Sequence, residues 1–392
     1  MGLVNPVNPV NPAHELPTII RDALEEGRYR PGRGPWYCSR ILPVTVPVSR
    51  RELLNSGMTR RTVEKTYDQV AYGIMLPKPT ADSSSGEDCG AYTHCIIGRS
   101  RAHQKKNPGC ILGGWGAAGF HGLKFWADAA PVLLLSNTLP PRGSADRDTA
   151  AATPLSAAVR ALPRGFDVDR DTVTPDPAFP EHRVVSVSIA LAQCLRSVLS
   201  GTHHWYVVDI PGLTRREVRA IQLLDAFAQC THITKVQIRE VCRGVVAART
   251  VRKLLRLAAS GSESPRETEL RLFVRDMLPA GHQWETQVGV TYEEETSWGG
   301  TKQRRTFLDI ACPTLRVGLY YDGKHHEDDA QTDKDFEQLQ DLRDGQWTVV
   351  RINRKLMANP RKMLTQIRRA IERAVREAAV REAAVREAAQ KE

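Results

Sequence analysis

The strongest constraint on the fold lies in the order of segments after Gly261. Ser264 can cap a helix, Pro265 suits its first position, and Glu267 falls at the third. That helix is expected to run to about Met277 and to carry Glu267 and Glu269. Short β-type runs follow at 286–290, 306–311, 315–322 and 347–352, with a polar, helix-compatible insert at 333–343. Helix, strand, strand, strand, helix, strand buries itself as one compact α/β unit, a sheet covered by helices.

Two features of that unit are unusual for a plain core. Asp309 sits inside the apolar run Phe307-Leu308-Asp309-Ile310-Ala311, where a carboxylate is costly unless paired or metal-bound. The next strand ends in Tyr320-Tyr321-Asp322-Gly323-Lys324-His325-His326, a dense run of ionisable groups. Alternation puts Tyr320 and Asp322 on one face, with Lys324 if the strand continues past Gly323. Asp309 on the neighbouring strand can meet that face. Asp309, Asp322 and the helical Glu267 are therefore the expected ligands of a hard divalent cation, Mg²⁺ or Mn²⁺. Lys324 would assist the attack of a metal-generated hydroxide on a phosphate. Two plainer readings remain open: Asp-Gly is also a turn signal, and Asp309 could pair with Arg304 or Arg305.

The other end of the chain reads differently. Residues 1–47 form a leader in which Val-Asn-Pro occurs three times, a pattern that suits neither helix nor sheet ladder. Within 48–78, Ser49 and Glu52 make a capping box for a helix that Gly57 ends, and Thr59 caps a second helix. This is the helix-turn-helix outline, with 70–76 as a following hairpin. Arg60 and Arg61 at the start of the second helix, and Lys65 one turn on, are the expected DNA contacts. A plain αα-hairpin would use the same residues.

Between these ends, 79–261 is a linking α/β-to-helical region, with a glycine-rich first part, strands expected at 132–135 and 183–187, and a mostly helical part from about 155. Its helices are expected near 190–199, 213–228, 234–243 and, strongly basic, 249–258. The eight cysteines show no metal-binding spacing, and reduced, mostly buried thiols are expected rather than a site at Cys89, His94, Cys95 and Cys110. No apolar run is long enough to span a bilayer, and no secretory leader is evident, so a cytoplasmic, membrane-free protein is expected. The net charge of +10 favours a polyanionic partner such as DNA without proving one. Residues 359–392 form a charged terminal helix in which Glu–Arg pairs four apart recur, each worth ~0.3–0.5 kcal/mol. From Ile371 on it is expected to be an exposed extension.

Taken in order, Ser264-Pro265-Arg266-Glu267, Asp309, Tyr321-Asp322-Gly323-Lys324-His325-His326, Asp335, Leu342 and Trp347-Thr348-Val349-Val350-Arg351 resemble the DUF559 family. That family belongs to the PD-(D/E)XK, restriction-endonuclease-like superfamily and is related to very-short-patch repair endonucleases. The resemblance covers roughly 262–357. Residues 49–76 are similar to the winged helix-turn-helix of AbiEi-type antitoxins, which often precedes such a domain, and 111–123 resemble the linking region. The resemblance implies a restriction-endonuclease-like domain at 262–358, a central mixed sheet flanked by helices, behind a winged helix-turn-helix and a linking region. It implies a Mg²⁺-dependent endonuclease acting on DNA, with Lys324 and His326 assisting at the water or leaving oxygen. Tyr320 stands where the family usually has Glu, Gln338 where Arg is common, and Gln346 where Gly usually precedes the Trp. The alternative expectation is an antitoxin-like regulator whose nuclease fold is catalytically silent.

Overall fold

The structure is a computed structural model that describes residues 40, 42–43, 45–79, 92–141, 155–177, 179–231, 233–295, 301–322, 342 and 345–389. The leader expected at 1–47 lies almost wholly outside these residues, as do Lys324, His325, His326 and nearly all of the insert at 333–343. The chain packs into two compact units: 1–206 with 226–256, and 207–225 with 257–392. Both mix helices and sheet.

The first unit begins with β1 (Val48–Ser49), α1 (Arg50–Asn55), α2 (Arg60–Thr66), β2 (Tyr67–Ala71) and β3 (Ile74–Pro77). The capping box forms as read: Ser49 Oγ accepts from Glu52 N–H, and Glu52 Oε2 accepts from Ser49 N–H at 2.7 Å. Gly57 takes φ +91°, the left-handed turn that ends α1. Antiparallel pairing gives a three-stranded sheet, β1-β3-β2. Val48, Leu53, Val63, Tyr67 and Met75 form its core. Hairpin residues Val70, Ala71, Ile74 and Leu76 form a second cluster with Ala102.

Ala102 lies on α3 (Ile96–Lys106), a helix absent from the expectations above and buried over most of its length. It buries Arg99 and Arg101 because each guanidinium is saturated. Arg99 donates to the carbonyls of His94, Asp128 and Ala130, and Arg101 clamps Asp176 at 2.7 and 2.9 Å. Next come β4 (Ile111–Gly113), α4 (Gly114–Phe120), β5 (Leu133–Leu135), β6 (Ala158–Arg160), α5 (Val168–Asp171), β7 (Thr172–Val173), β8 (Val184–Val185) and α6 (Val187–Ser200). The five strands form a mixed sheet, β6-β5-β4-β8-β7, on which α4 and α6 pack. The strands expected at 132–135 and 183–187 appear as β5 and β8, whereas the short β6 and β7 lie in a stretch expected to be mostly helical. Gly116 shows why 111–123 is glycine-rich: an added Cβ would stand 2.7 Å from Ser100 Oγ and 2.8 Å from Leu112 Cδ1.

Three helices follow: α7 (Arg215–Thr231), α8 (Lys235–Val241) and α9 (Ala248–Leu257). α7 passes from one unit to the other between Asp225 and Ala226. Of the cysteines described, Cys110, Cys194, Cys230, Cys242 and Cys312 are buried free thiols and Cys95 is a half-buried one. His94 meets Asp68 at 3.0 Å.

The second unit is built on α10 (Pro265–Val274), β9 (Glu285–Glu295), β10 (Thr301–Cys312), β11 (Val317–Asp322) and β12 (Thr348–Asn353). The sheet order is β12-β11-β10-β9, antiparallel except for the β11–β12 pair, which is parallel. The β9–β10 hairpin is longer than the apolar runs implied, because its distal half is polar. α11 (Arg354–Met357) leads into α12 (Pro360–Ala389). This terminal helix is not a free extension from Ile371. Met363, Ile367, Ala370, Ile371 and Ala374 are buried, and its first half packs on β12 and β11. Beyond them Val380 is exposed, as the five-residue repeat implied. No helix among the described residues is long and apolar enough to cross a membrane.

Candidate functional site

Within the second unit, strand alternation sends Leu308 and Ile310 into the core and turns Asp309 to the other face of β10. There it meets Glu267 from the first turn of α10. The two carboxylates share one neighbour, Gln287: its Nε2 lies 3.4 Å from Glu267 Oε2 and 3.5 Å from Asp309 Oδ1. The register pairing Val288 with Leu308 and Thr286 with Ile310 sets Gln287 across from Asp309. Gln287 holds φ +53°, a left-handed conformation that non-glycine residues rarely adopt within a strand.

The remaining partners of the pair are neutral. Ser264, the N-cap of α10, donates its hydroxyl to Glu267 Oε1 at 2.8 Å, and Glu263 N–H donates to Oε2 at 2.8 Å. Tyr321 N–H donates to Asp309 Oδ2 at 2.6 Å. No Lys or Arg among the described residues pairs with either acid. Burial and then the charge of Asp309 push Glu267 up to about 7. Burial first, and the nearby Glu263 charge, push Asp309 up to about 6, against the opposing pull of the Tyr321 N–H.

Asp322 is placed otherwise. It lies on the β11 face that carries Tyr320, and Arg351 of β12, register partner of Tyr320, holds its Oδ2 at 2.7 Å. Among the described residues no three Asp, Glu, His or Cys side chains gather as a metal cage. The donor set nonetheless fits one kind of ion. Mg²⁺ keeps several of its waters and is commonly held by only one or two carboxylates, and Glu267 and Asp309 supply hard oxygens with no countercharge among the described residues. Glu269, two residues along the same helix, does not join them. It is buried and bonded to Arg266 at 2.6 Å and to Gln222.

In the first unit, Val63 is fully buried and fixes the rotation of α2. Arg61 and Lys65, four residues apart, then lie on the side away from Val63, with Arg60 at the flank; all three are exposed. Thr59 Oγ1 caps the helix by accepting from Thr62 N–H. The helix's single acid, Glu64, is neutralised by Arg50 at 2.8 Å, so the outer face is positive. Tyr72, at the turn of the β2–β3 hairpin, is 74% exposed.

Pattern reading found Glu267 and Asp309 but missed Gln287 and gave Ser264 only a capping role. The signal for Gln287 exists only once β9 is paired with β10, because a glutamine in a strand has no chemistry of its own to mark it. Comparison of the chain with protein-family models, with curated proteins and with solved structures gave no match.

Proposed function

We propose that the second unit is a divalent-metal-dependent nuclease domain of the PD-(D/E)XK kind, and that the first unit binds DNA through α2 and the β2–β3 hairpin as a winged helix-turn-helix. One observation supports the nuclease reading: a carboxylate pair from helix and sheet, Glu267 buried and Asp309 half-buried, bridged by Gln287 and answered by no Lys or Arg among the described residues. The order α10, β9, β10, β11 and then a parallel β12 supplies the first helix and the four strands of the order expected from the sequence; the helix expected at 333–343 lies almost wholly outside the described residues.

In this reading Glu267 and Asp309 hold the ion, while Ser264, Tyr321 N–H and Gln287 keep the carboxylates facing each other. Bound Mg²⁺ or Mn²⁺ supplies a polarised phosphate and an acidified water. Lys324 and His326, outside the described residues, are the candidates for moving the proton at the water or the leaving oxygen. Asp322 joins as a third ligand only by giving up Arg351. On the first unit, Arg60 and Arg61 are aimed at base edges and Lys65 at the backbone.

The test is cleavage of supercoiled plasmid and labelled duplexes with Mg²⁺ or Mn²⁺, wild type beside Asp309→Ala and Glu267→Gln. Cutting by the wild type, lost by at least about 100-fold in both variants, is expected. A second reading is an antitoxin-like regulator with a silent nuclease fold. The Asp322–Arg351 ion pair and the Tyr320 side chain favour it. Equal DNA binding by all three proteins with no cutting by any would establish that reading and end the catalytic one.

A further inference from the structure

The net charge is spread unevenly. Residues 235–256, which span α8 and α9, carry seven cationic side chains and a single acidic one, Glu240, more than half of the chain's excess of +10. On α9 the charges are ordered. Val251, Leu254 and Leu255 are buried and define the inner face. Arg249, Arg252, Lys253 and Arg256 follow the i, i+3, i+4, i+7 spacing of a single helix face, which points the other way. The three arginines are exposed and Lys253 is half-buried. No carboxylate among the described residues pairs with Arg249, Arg252 or Arg256. Lys235 and Arg239, four apart on α8, are also exposed.

A helix needs no such stripe to fold, and four like charges on one face disfavour it slightly. We propose that the outer face of α9, with Arg249, Arg252, Lys253 and Arg256, is a second DNA-binding surface, one that grips the phosphate backbone of a duplex without reading its sequence. The stripe is about 10 Å long at 1.5 Å per residue. It matches about three phosphates of one strand, whose rise is about 3.4 Å. Arginine suits phosphate because its planar fork can donate two hydrogen bonds to one group. A lipid surface is the poorer occupant: the apolar face that would have to insert between headgroups is already buried in the fold. The duplex as occupant rests on the DNA-binding reading above, but the surface is separate from α2.

The test uses the full chain and a short fluorescein-labelled duplex of arbitrary sequence, with anisotropy titrations at several salt concentrations. Arg249→Gln, Arg252→Gln and Arg256→Gln are combined, and their thermal melt is compared with wild type to confirm the fold. A second variant carries Arg60→Gln and Arg61→Gln. The triple variant is expected to bind about 10- to 100-fold more weakly, and its plot of log K against log salt to flatten by about 2–3 units. If the wild type binds and the triple variant matches it in affinity and slope, the α9 surface is refuted, while the reading of α2 stands or falls on the Arg60/Arg61 variant. Failure of the wild type to bind duplex at all overturns both. A triple variant that loses binding to phosphatidylserine vesicles instead, with no duplex bound by either protein, assigns the stripe to a membrane and also overturns the proposal.

Discussion

Two pairs of acids in the second unit are handled in opposite ways. Asp225 and Glu269 are sealed inside and answered by the chain's own cations. Arg271 donates to Asp225 at 2.6 Å, with Thr268 and the Ala259 N–H completing its shell, and Arg266 holds Glu269. Glu267 is buried and Asp309 half-buried, yet among the described residues they receive only a hydroxyl, two backbone N–H groups and one amide. Neutral donors satisfy lone pairs but leave two like charges side by side. A fold that needed these acids only for packing would have supplied an arginine, as it does one turn away. Among the described residues none reaches Glu267 or Asp309, and this difference is what supports the metal site proposed above.

The contrast is broken most easily from the saturated side. Arg271→Ala strands the Asp225 carboxylate in the interior, and destabilisation of the second unit by about 3–5 kcal/mol is expected, read by urea unfolding and by hydrogen exchange of the β10–β11 amides. A loss below about 1 kcal/mol would mean that Asp225 is not held as a charged partner, and the contrast would lose one arm.

On the other arm the signs reverse. With a folded pKa raised from 4.5 to about 7, Glu267 binds more protons folded than unfolded. Its contribution is fully present below pH 4.5 and is lost as pH rises through about 7. Saturating Mn²⁺, at about 100 times its dissociation constant, should restore about 2.7 kcal/mol above pH 7, seen as a rise in melting temperature. Glu267→Gln should remove the charge repulsion, gain on the order of 1–2 kcal/mol at pH 8 without metal, and abolish the Mn²⁺ effect. Destabilisation by Glu267→Gln at pH 8, with an intact Mn²⁺ shift, would show that these acids are structural after all.

Half of this contrast could be read from the chain. A charged residue in an apolar strand is conspicuous, so Asp309 was visible, and a Ser-Pro-x-Glu helix start placed Glu267. The internal pairing of Asp225 and Glu269 was not visible, because a buried acid on an amphipathic helix looks like any solvated one until its partners are known. The same blindness hid α3, whose Arg99 and Arg101 carry no sequence sign of burial yet are enclosed by carbonyls and Asp176. Hydrophobic periodicity reports burial only for side chains that need no partner. The terminal helix failed in the other direction: exposure is expected from Ile371 on and holds for Val380, but Ile371 and Ala374 are buried.

The smallest expected effect tests the neutral shell itself. Ser264 has two tasks: its Oγ accepts from Glu267 N–H at 3.3 Å, capping α10, and its hydroxyl proton goes to Glu267 Oε1. Ser264→Ala should cost about 1 kcal/mol through the cap alone. It also removes a donor that favours the ionised carboxylate, so Glu267 should titrate higher still, and Mn²⁺ stabilisation should begin at a higher pH than in wild type. Ser264→Asn keeps an acceptor for the cap and offers an amide donor in place of the hydroxyl, so it should recover most of the stability and part of the pH profile. If Ser264→Ala loses stability while the Mn²⁺ profile stays in place, the hydroxyl serves the helix only. Glu267 would then owe its orientation to Glu263 N–H and Gln287, and the line between the two pairs of acids would run through the sheet hairpin rather than through the helix cap.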